Sequence, residues 1–346
     1  MYKGLFVDRP EHAVLRKGAE KPLAANEVRI RTTLAAMKHG TLFHLFSGKS
    51  PFNSQQFDPQ LRMFVPKKAA TPALVGAFLG NMFAGKIVEV GAEVKKLRPG
   101  DMVFGYGPAC ELLTRPATAV TRLPARLSAE DAVCLDPALF AYAAVRDGKI
   151  GVGDNVVLFG LGAIGLFGIQ LLRLNGCLNI IAVDPIEKRR RLARKFGATH
   201  TLDPRTCDVG ARIREILGVG ADVAIEASGN YRALGQAIRA VRQCGRVVTL
   251  GYYKGKDSEL ELGAEWLHNR LEMICSLPDW NNPLREYPVW DRDRMWRTLI
   301  ALFERKRLVS RGVMDPVVPL RAAPRTFMSI YKNPGQAIKM GVRFPK

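Results

Sequence analysis

Residues Asn155–Asp184 run NVVLFGLGAIGLFGIQLLRLNGCLNIIAVD. The apolar run after Asn155 is short and rich in β-branched residues, the pattern of a strand buried on both faces. Ala163–Leu174 carries apolar residues at helical spacing, and NIIAVD (Asn179–Asp184) reads as a second buried strand. Between strand and helix stands Gly160-Leu161-Gly162-Ala163-Ile164-Gly165. A lone GxGxxG is weak evidence. This one leaves a strand, opens a helix and is followed by an aspartate ending the next strand, as the dinucleotide fingerprint requires. Gly160 then permits the tight turn, Gly162 admits a pyrophosphate to the backbone, and Gly165 lets helix and strand pack closely. The free N–H groups of Ala163, Ile164 and the rest of the first helical turn face the phosphates. Asp184 is expected to accept from ribose hydroxyls and to repel a 2′-phosphate. NAD(H) is therefore the expected cofactor. Arg189, Arg190 and Arg191 read as a solvated helix face, and NADP(H) stays open because one of them could reach such a phosphate.

The alternation continues beyond Asp184. Pro185–Phe196 reads as a helix stopped by Gly197, His200–Asp203 as a short strand, and residues 209–217 as a helix. Ala221–Glu226 reads as a strand, Tyr231–Gln243 as a helix, and Arg246–Gly251 and Leu271–Ser276 as strands. Such βαβ units imply an α/β fold with a doubly wound parallel sheet. Ser228, Gly251 and Tyr252 follow its fourth and fifth strands, at the carboxyl edge where the nicotinamide half belongs. Working back, Val28–Thr32, Gly85–Val90 and Asp101–Phe104 are strand-like and bounded by turn residues, so the first part is β-rich. Working forward come an aromatic-rich loop (279–290), a helix at 292–304 and a tail from Val317 that reads as β-rich. The expected division is residues 1–137, residues 138–280, and a return to the first domain over residues 281–346.

The composition is that of a globular enzyme, 47% hydrophobic and 24% charged in 346 residues. No apolar run reaches a membrane-spanning length, and no signal peptide is read at the start. The six cysteines are scattered without a CxxC pair, the pattern of isolated thiols in a reducing compartment, so a cytoplasmic location is expected. The net charge of +20 raises nucleic-acid binding, but the basic residues are spread along the chain. A charged solvent face is the plain reading and a basic surface that draws in an anionic cofactor or substrate the intermediate one; no nucleic-acid or membrane partner is expected.

With GKIVEVGAEVKKLRPGDMVFGYG (Gly85–Gly107), the fingerprint, and DVAIEASGNYRALGQAIRAVRQCGRVVTLG (Asp222–Gly251) in view, the chain resembles the medium-chain dehydrogenase/reductase superfamily over its whole length. The resemblance implies a Rossmann domain joined to a GroES-like catalytic domain, and homodimers formed through the sixth-strand edge. It also implies a catalytic zinc, and here the chain departs from the pattern. His39 stands where zinc-type members carry cysteine, Asn81 replaces a histidine ligand, Asp136 occupies the third position, and the four-cysteine lobe is missing. No zinc is expected.

Without zinc, a positioned donor must manage the proton and the alkoxide charge. The candidates are Lys38, His39 and Thr41 on one short segment, with Asp136 orienting His39. His44, Asn81 and Tyr142 are expected to line the substrate pocket. The function that follows is hydride transfer between nicotinamide and a polar secondary alcohol or ketone: a polyol, a sugar derivative or a hydroxy acid. Two alternatives stand beside it, an NADPH-dependent enoyl or quinone reductase and a non-catalytic nucleotide-sensing or nucleic-acid-binding protein.

Overall fold

The computed structural model describes residues 1–48, 50–68, 74–253, 260–278 and 290–345. The aromatic-rich loop expected at 279–290 lies outside the described residues except for Trp290. The chain divides into two compact units, one made of Met1–Cys134 with Met314–Lys346, the other of Leu135–Val313.

The first unit opens with the hairpin β1 (Tyr2–Arg9) and β2 (His12–Gly18), then β3 (Glu27–Ala36) and the short helix α1 (His39–Phe46). A two-stranded ribbon, β4 (Gln55–Asp58) and β5 (Met63–Pro66), precedes β6 (Met82–Val90), β7 (Met102–Tyr106), β8 (Leu112–Pro116), β9 (Val120–Arg122) and α2 (Ala129–Val133). In β3 the residues Val28, Ile30, Thr32 and Leu34 are buried, the alternation of a half-buried strand. Helix α2 starts where a capping box fixes it, with Ser128 and Asp131 satisfying each other's backbone N–H groups.

The second unit begins with α3 (Leu135–Asp147) and proceeds through β10 (Asn155–Phe159), α4 (Ala163–Leu174), β11 (Asn179–Val183), α5 (Glu187–Phe196) and β12 (His200–Leu202). There follow α6 (Val209–Leu217), β13 (Ala221–Glu226), α7 (Tyr231–Ala240), β14 (Val241–Thr249), β15 (Glu272–Cys275) and α8 (Arg292–Glu304). The strands form one six-stranded sheet in the order β12-β11-β10-β13-β14-β15, and every pairing is parallel. This is the doubly wound order with its switch point between β10 and β13. Side chains of Asp208, Asn230 and Asp291 cap α6, α7 and α8 at their first turns.

The chain then returns to the first unit through β16 (Met314–Pro319), α9 (Ala323–Lys332) and β17 (Lys339–Arg343). Strand β17 lies between β16 and β3, so the sheet of this unit runs β16-β17-β3-β6-β7-β9 with β8 paired to β3. The core of this unit joins Phe43 and Phe46 of α1 to Phe327 and Ile330 of α9 and to Met340 and Val342 of β17.

Three expectations need correction. The return comes at Met314 rather than residue 281, because α8 belongs to the second unit, where Phe303 meets Phe167 of α4 edge-on at 5.6 Å. Helix α7 stops at Ala240, and the residues read as its last turn start β14 instead. The tail carries a ten-residue helix, α9, whose amphipathic pattern buries Ala323, Phe327 and Ile330.

Candidate active site

In the second unit the fingerprint has the geometry its glycines suggest. Gly160 takes φ +88°, a left-handed conformation that disfavours any side chain. A Cβ on Gly165 would stand 2.0 Å from the Gly160 carbonyl oxygen, so only glycine lets α4 come this close to the turn. A Cβ on Gly162 would meet nothing of the protein within 4 Å, and Gly162 is the N-cap of α4. The helix start is thus an open backbone cradle, with first-turn N–H groups that lack partners within the helix, as an anion site at a helix N-terminus needs.

Asp184 directly follows β11. Its carboxylate is almost fully buried, accepting from the N–H of Leu161 at 2.7 Å and of Ile186 at 2.8 Å. The guanidinium of Arg189 lies 3.6 Å away, and Arg190 donates to the Asp184 carbonyl at 2.6 Å and pairs with Asp203 at 3.0 Å. Arg205 also grips Asp203, which holds that carboxyl far below the usual carboxylate range, and it reaches the Pro185 carbonyl at 2.6 Å. Reading all three arginines as a solvated helix face is therefore wrong for two of them. Arg189 and Arg190 turn inward to buried acceptors, and only Arg191 stays exposed, beside Glu187.

At the carboxyl edge, Ser228 packs against Gly160, and Gly229 packs backbone to backbone against Tyr252. These turns are tied by a residue the sequence reading missed, Glu226. It has no solvent exposure and accepts from the N–H and Oγ–H of Ser228, the N–H of Gly229 and the hydroxyl of Tyr253. Burial pushes its carboxyl above the ordinary range, and the donors act against that. A glutamate ending the apolar run VAIE was the available signal. Also in this unit, Asp136 is buried in the first turn of α3, where a helix favours negative charge. Tyr142 is half-buried and meets Trp290 edge-on at 5.9 Å.

In the first unit the expected catalytic residues cluster at one corner of the sheet. Lys38 is the N-cap of α1, and His39 and Thr41 lie in its first turn. His39 stacks on Phe43 at 5.1 Å, and its Nε2 accepts from the Met340 N–H at 3.4 Å. A neutral ring bonded in this way carries its proton on Nδ1. Lys339, almost fully buried, donates to the Met37 carbonyl at 3.0 Å, so β17 fixes the backbone on which Lys38 and His39 stand. Asn81 joins the same corner through its N–H to the Ala36 carbonyl at 3.0 Å. His44 is buried on the core face of α1 with Phe43 and Phe46. Among the described residues, no three His, Cys, Asp or Glu side chains gather as a metal would require.

Known proteins agree with this architecture. A family model described as a zinc-binding dehydrogenase matches residues 163–279, and one described as an alcohol dehydrogenase GroES-like domain matches residues 24–125. D-guloside 3-dehydrogenase of Escherichia coli (strain K12) is 38% identical over 354 residues, which cover 99% of this chain and 100% of that one. (R,R)-butanediol dehydrogenase of Bacillus subtilis (strain 168) is 30% identical over 203 residues, 51% of this chain and 59% of that one. The solved 2R,3R-butanediol dehydrogenase from Bacillus subtilis has the same fold, with a TM-score of 0.78 at 22% identity over 100% of both chains.

Fold, cradle and relatives together define an alcohol-dehydrogenase-type oxidoreductase of the NAD(P)(H)-dependent class. The chain belongs to the medium-chain dehydrogenase/reductase superfamily. No helix among the described residues is long and apolar enough to cross a membrane.

Proposed function

We propose that this enzyme oxidises a secondary hydroxyl of a polyhydroxylated sugar derivative, and reduces the matching ketone, with NAD(H) and without a catalytic zinc. The observation that carries the substrate class is the full-length similarity to D-guloside 3-dehydrogenase. The buried Asp184 carboxylate supports NAD(H), since a 2′-phosphate brought beside it meets like charge.

The donor set argues against zinc at the family's position. A catalytic zinc takes three donors from Cys, His and carboxylate. Here Asn81 offers a carboxamide, a poor zinc donor, where the family has a histidine. These residues do not fit the metal.

When bound, the dinucleotide supplies the hydride acceptor or donor. The open backbone at Gly162 and the first turn of α4 hold its phosphates, Asp184 takes the ribose, Arg189 flanks that carboxylate, and the turns bearing Ser228, Gly251 and Tyr252 frame the nicotinamide half. On the first unit, His39 receives the substrate hydroxyl proton through Thr41 on Nε2, which gives up its 3.4 Å bond from the Met340 N–H to do so. Lys38 holds the developing alkoxide charge. Asn81 shapes the substrate pocket on the same unit, and a second copy pairs along the β15 edge.

The test is titration of the purified protein with NADH and NADPH by fluorescence, with metal content measured on the same sample, followed by a screen over glycosides, polyols, ketones and enones. Tight NADH binding by metal-free protein that oxidises a glycoside supports the reading. Stoichiometric zinc, or turnover of enones alone, overturns it.

A further inference from the structure

We propose a second ligand site in the Rossmann unit, a cavity that takes a small phosphate-bearing anion at the edge of the sheet opposite the dinucleotide cradle. Helix α4 starts at the carboxyl end of β10 and so finishes at the other edge of the sheet. There a cavity of about 360 Å³ opens between the ends of α4 and α5 and the segment after α8. Arg173, Lys195, Lys306 and Arg307 line it, and no carboxylate does.

The cavity is built. Its wall is pinned by Gln170, almost fully buried on α4, whose amide donates to the Val309 carbonyl at 3.2 Å and accepts from the Val309 N–H at 2.9 Å. The stem of Arg173 runs over the end of α5 because Gly197 has no side chain; a Cβ there would sit 2.5 Å from Arg173 Cδ. Helix α8 closes with Arg307 N–H on the Leu302 carbonyl and Lys306 N–H on the Phe303 carbonyl, both at 2.9 Å. That closure puts Lys306 at φ +54°, the position where helices usually place glycine. A lysine therefore stands at this rim in spite of its backbone preference.

The charges point to an anion. Elsewhere on the unit, Arg190, Arg205, Arg239, Arg242 and Arg246 each pair with a carboxylate. The side chains of Arg173, Lys195 and Arg307 make no ion pair or hydrogen bond among the described residues. One cation near each helix end offsets the negative pole of that helix. Drawn from the ends of three helices to one cavity whose lining holds no carboxylate, these three leave a net positive recess. Two guanidiniums among them suit the geometry of phosphate oxygens.

The test uses full-length protein saturated with NADH, so that the pyrophosphate cradle is filled, and titrates inorganic pyrophosphate by calorimetry at low salt. One site is expected, weakened about tenfold or more in the Arg173→Gln/Arg307→Gln double variant, with NADH affinity unchanged. Lys306→Gly suits the left-handed backbone better, so it is expected to keep or raise the Tm while lowering pyrophosphate affinity. This separates lost binding from lost folding. No binding in the wild type, competition by excess NADH, or affinity indifferent to these substitutions would show that the cations only cap helix ends.

Discussion

The dinucleotide cradle and the Lys38–Thr41 corner are built on opposite principles. The cradle is made of backbone: Gly160, Gly162 and Gly165 act by what they lack, and all lie within one strand–turn–helix. The corner is made of side chains whose support comes from far along the chain. His39 rests on Met340, and Met37 on Lys339. A backbone site tolerates few residue types and leaves a signature in sequence. A side-chain site can change its chemistry while the scaffold stays.

The largest expected effect separates the two regions outright. Replacing His39 by Ala should lower kcat by about 10²–10⁴-fold, the usual range for a general acid–base group, and leave NADH affinity unchanged. An unchanged kcat would place the proton transfer elsewhere. Next comes the cradle. Gly165→Val pushes side-chain carbon into the Gly160 carbonyl and should cost about 1–3 kcal/mol of stability together with NADH binding. Gly162→Ala should melt like wild type yet bind NADH more weakly, because its Cβ meets no protein atom. If both variants behave alike, the division between packing glycine and ligand glycine fails.

A smaller effect is expected at Asp184. Its change to Ala should shrink the preference for NADH over NADPH by about tenfold, measured as a ratio of Kd values. A preference for NADPH in the wild type would instead assign Arg189 and Arg190 to a 2′-phosphate. The smallest effect concerns Glu226. Its carboxyl is raised above the ordinary value of 4.5 in the folded state. The stability it contributes is thus present in full below that value and is lost as pH rises through the raised one. Melting curves over this range should show wild type losing ground to Glu226→Gln as pH rises; a constant gap would mean the carboxyl is not shifted.

Much of the second unit was legible because its signals are local. Helices α4 and α8 fall at the residues that periodicity predicts, Ala163–Leu174 and Arg292–Glu304. The misses have tertiary causes. Arg189 and Arg190 read as solvent-facing because a run of cations on a helix does not reveal Asp184 and Asp203 behind it. Helix α9 was hidden because its buried face forms only against α1 and the sheet of the first unit. Glu226 was passed over as the last residue of a strand, since its donors arrive from two separate turns. Of the corner, sequence supplied the candidates Lys38, His39 and Thr41, but nothing in it linked them to Met340.

That link spans 301 positions, and it has a consequence for how the protein is made. Strand β17 sits between β16 and β3, so the sheet of the first unit stays divided until the ribosome has passed residue 343. The intervening Leu135–Val313 unit needs no such wait and can fold as it emerges. During synthesis the nucleotide-binding half is therefore expected to mature first, while β3 waits with an unpaired edge. The Lys38–Thr41 corner, proposed above to handle the proton, is among the last parts to form, so on that reading the nascent enzyme can hold its cofactor before it can use it.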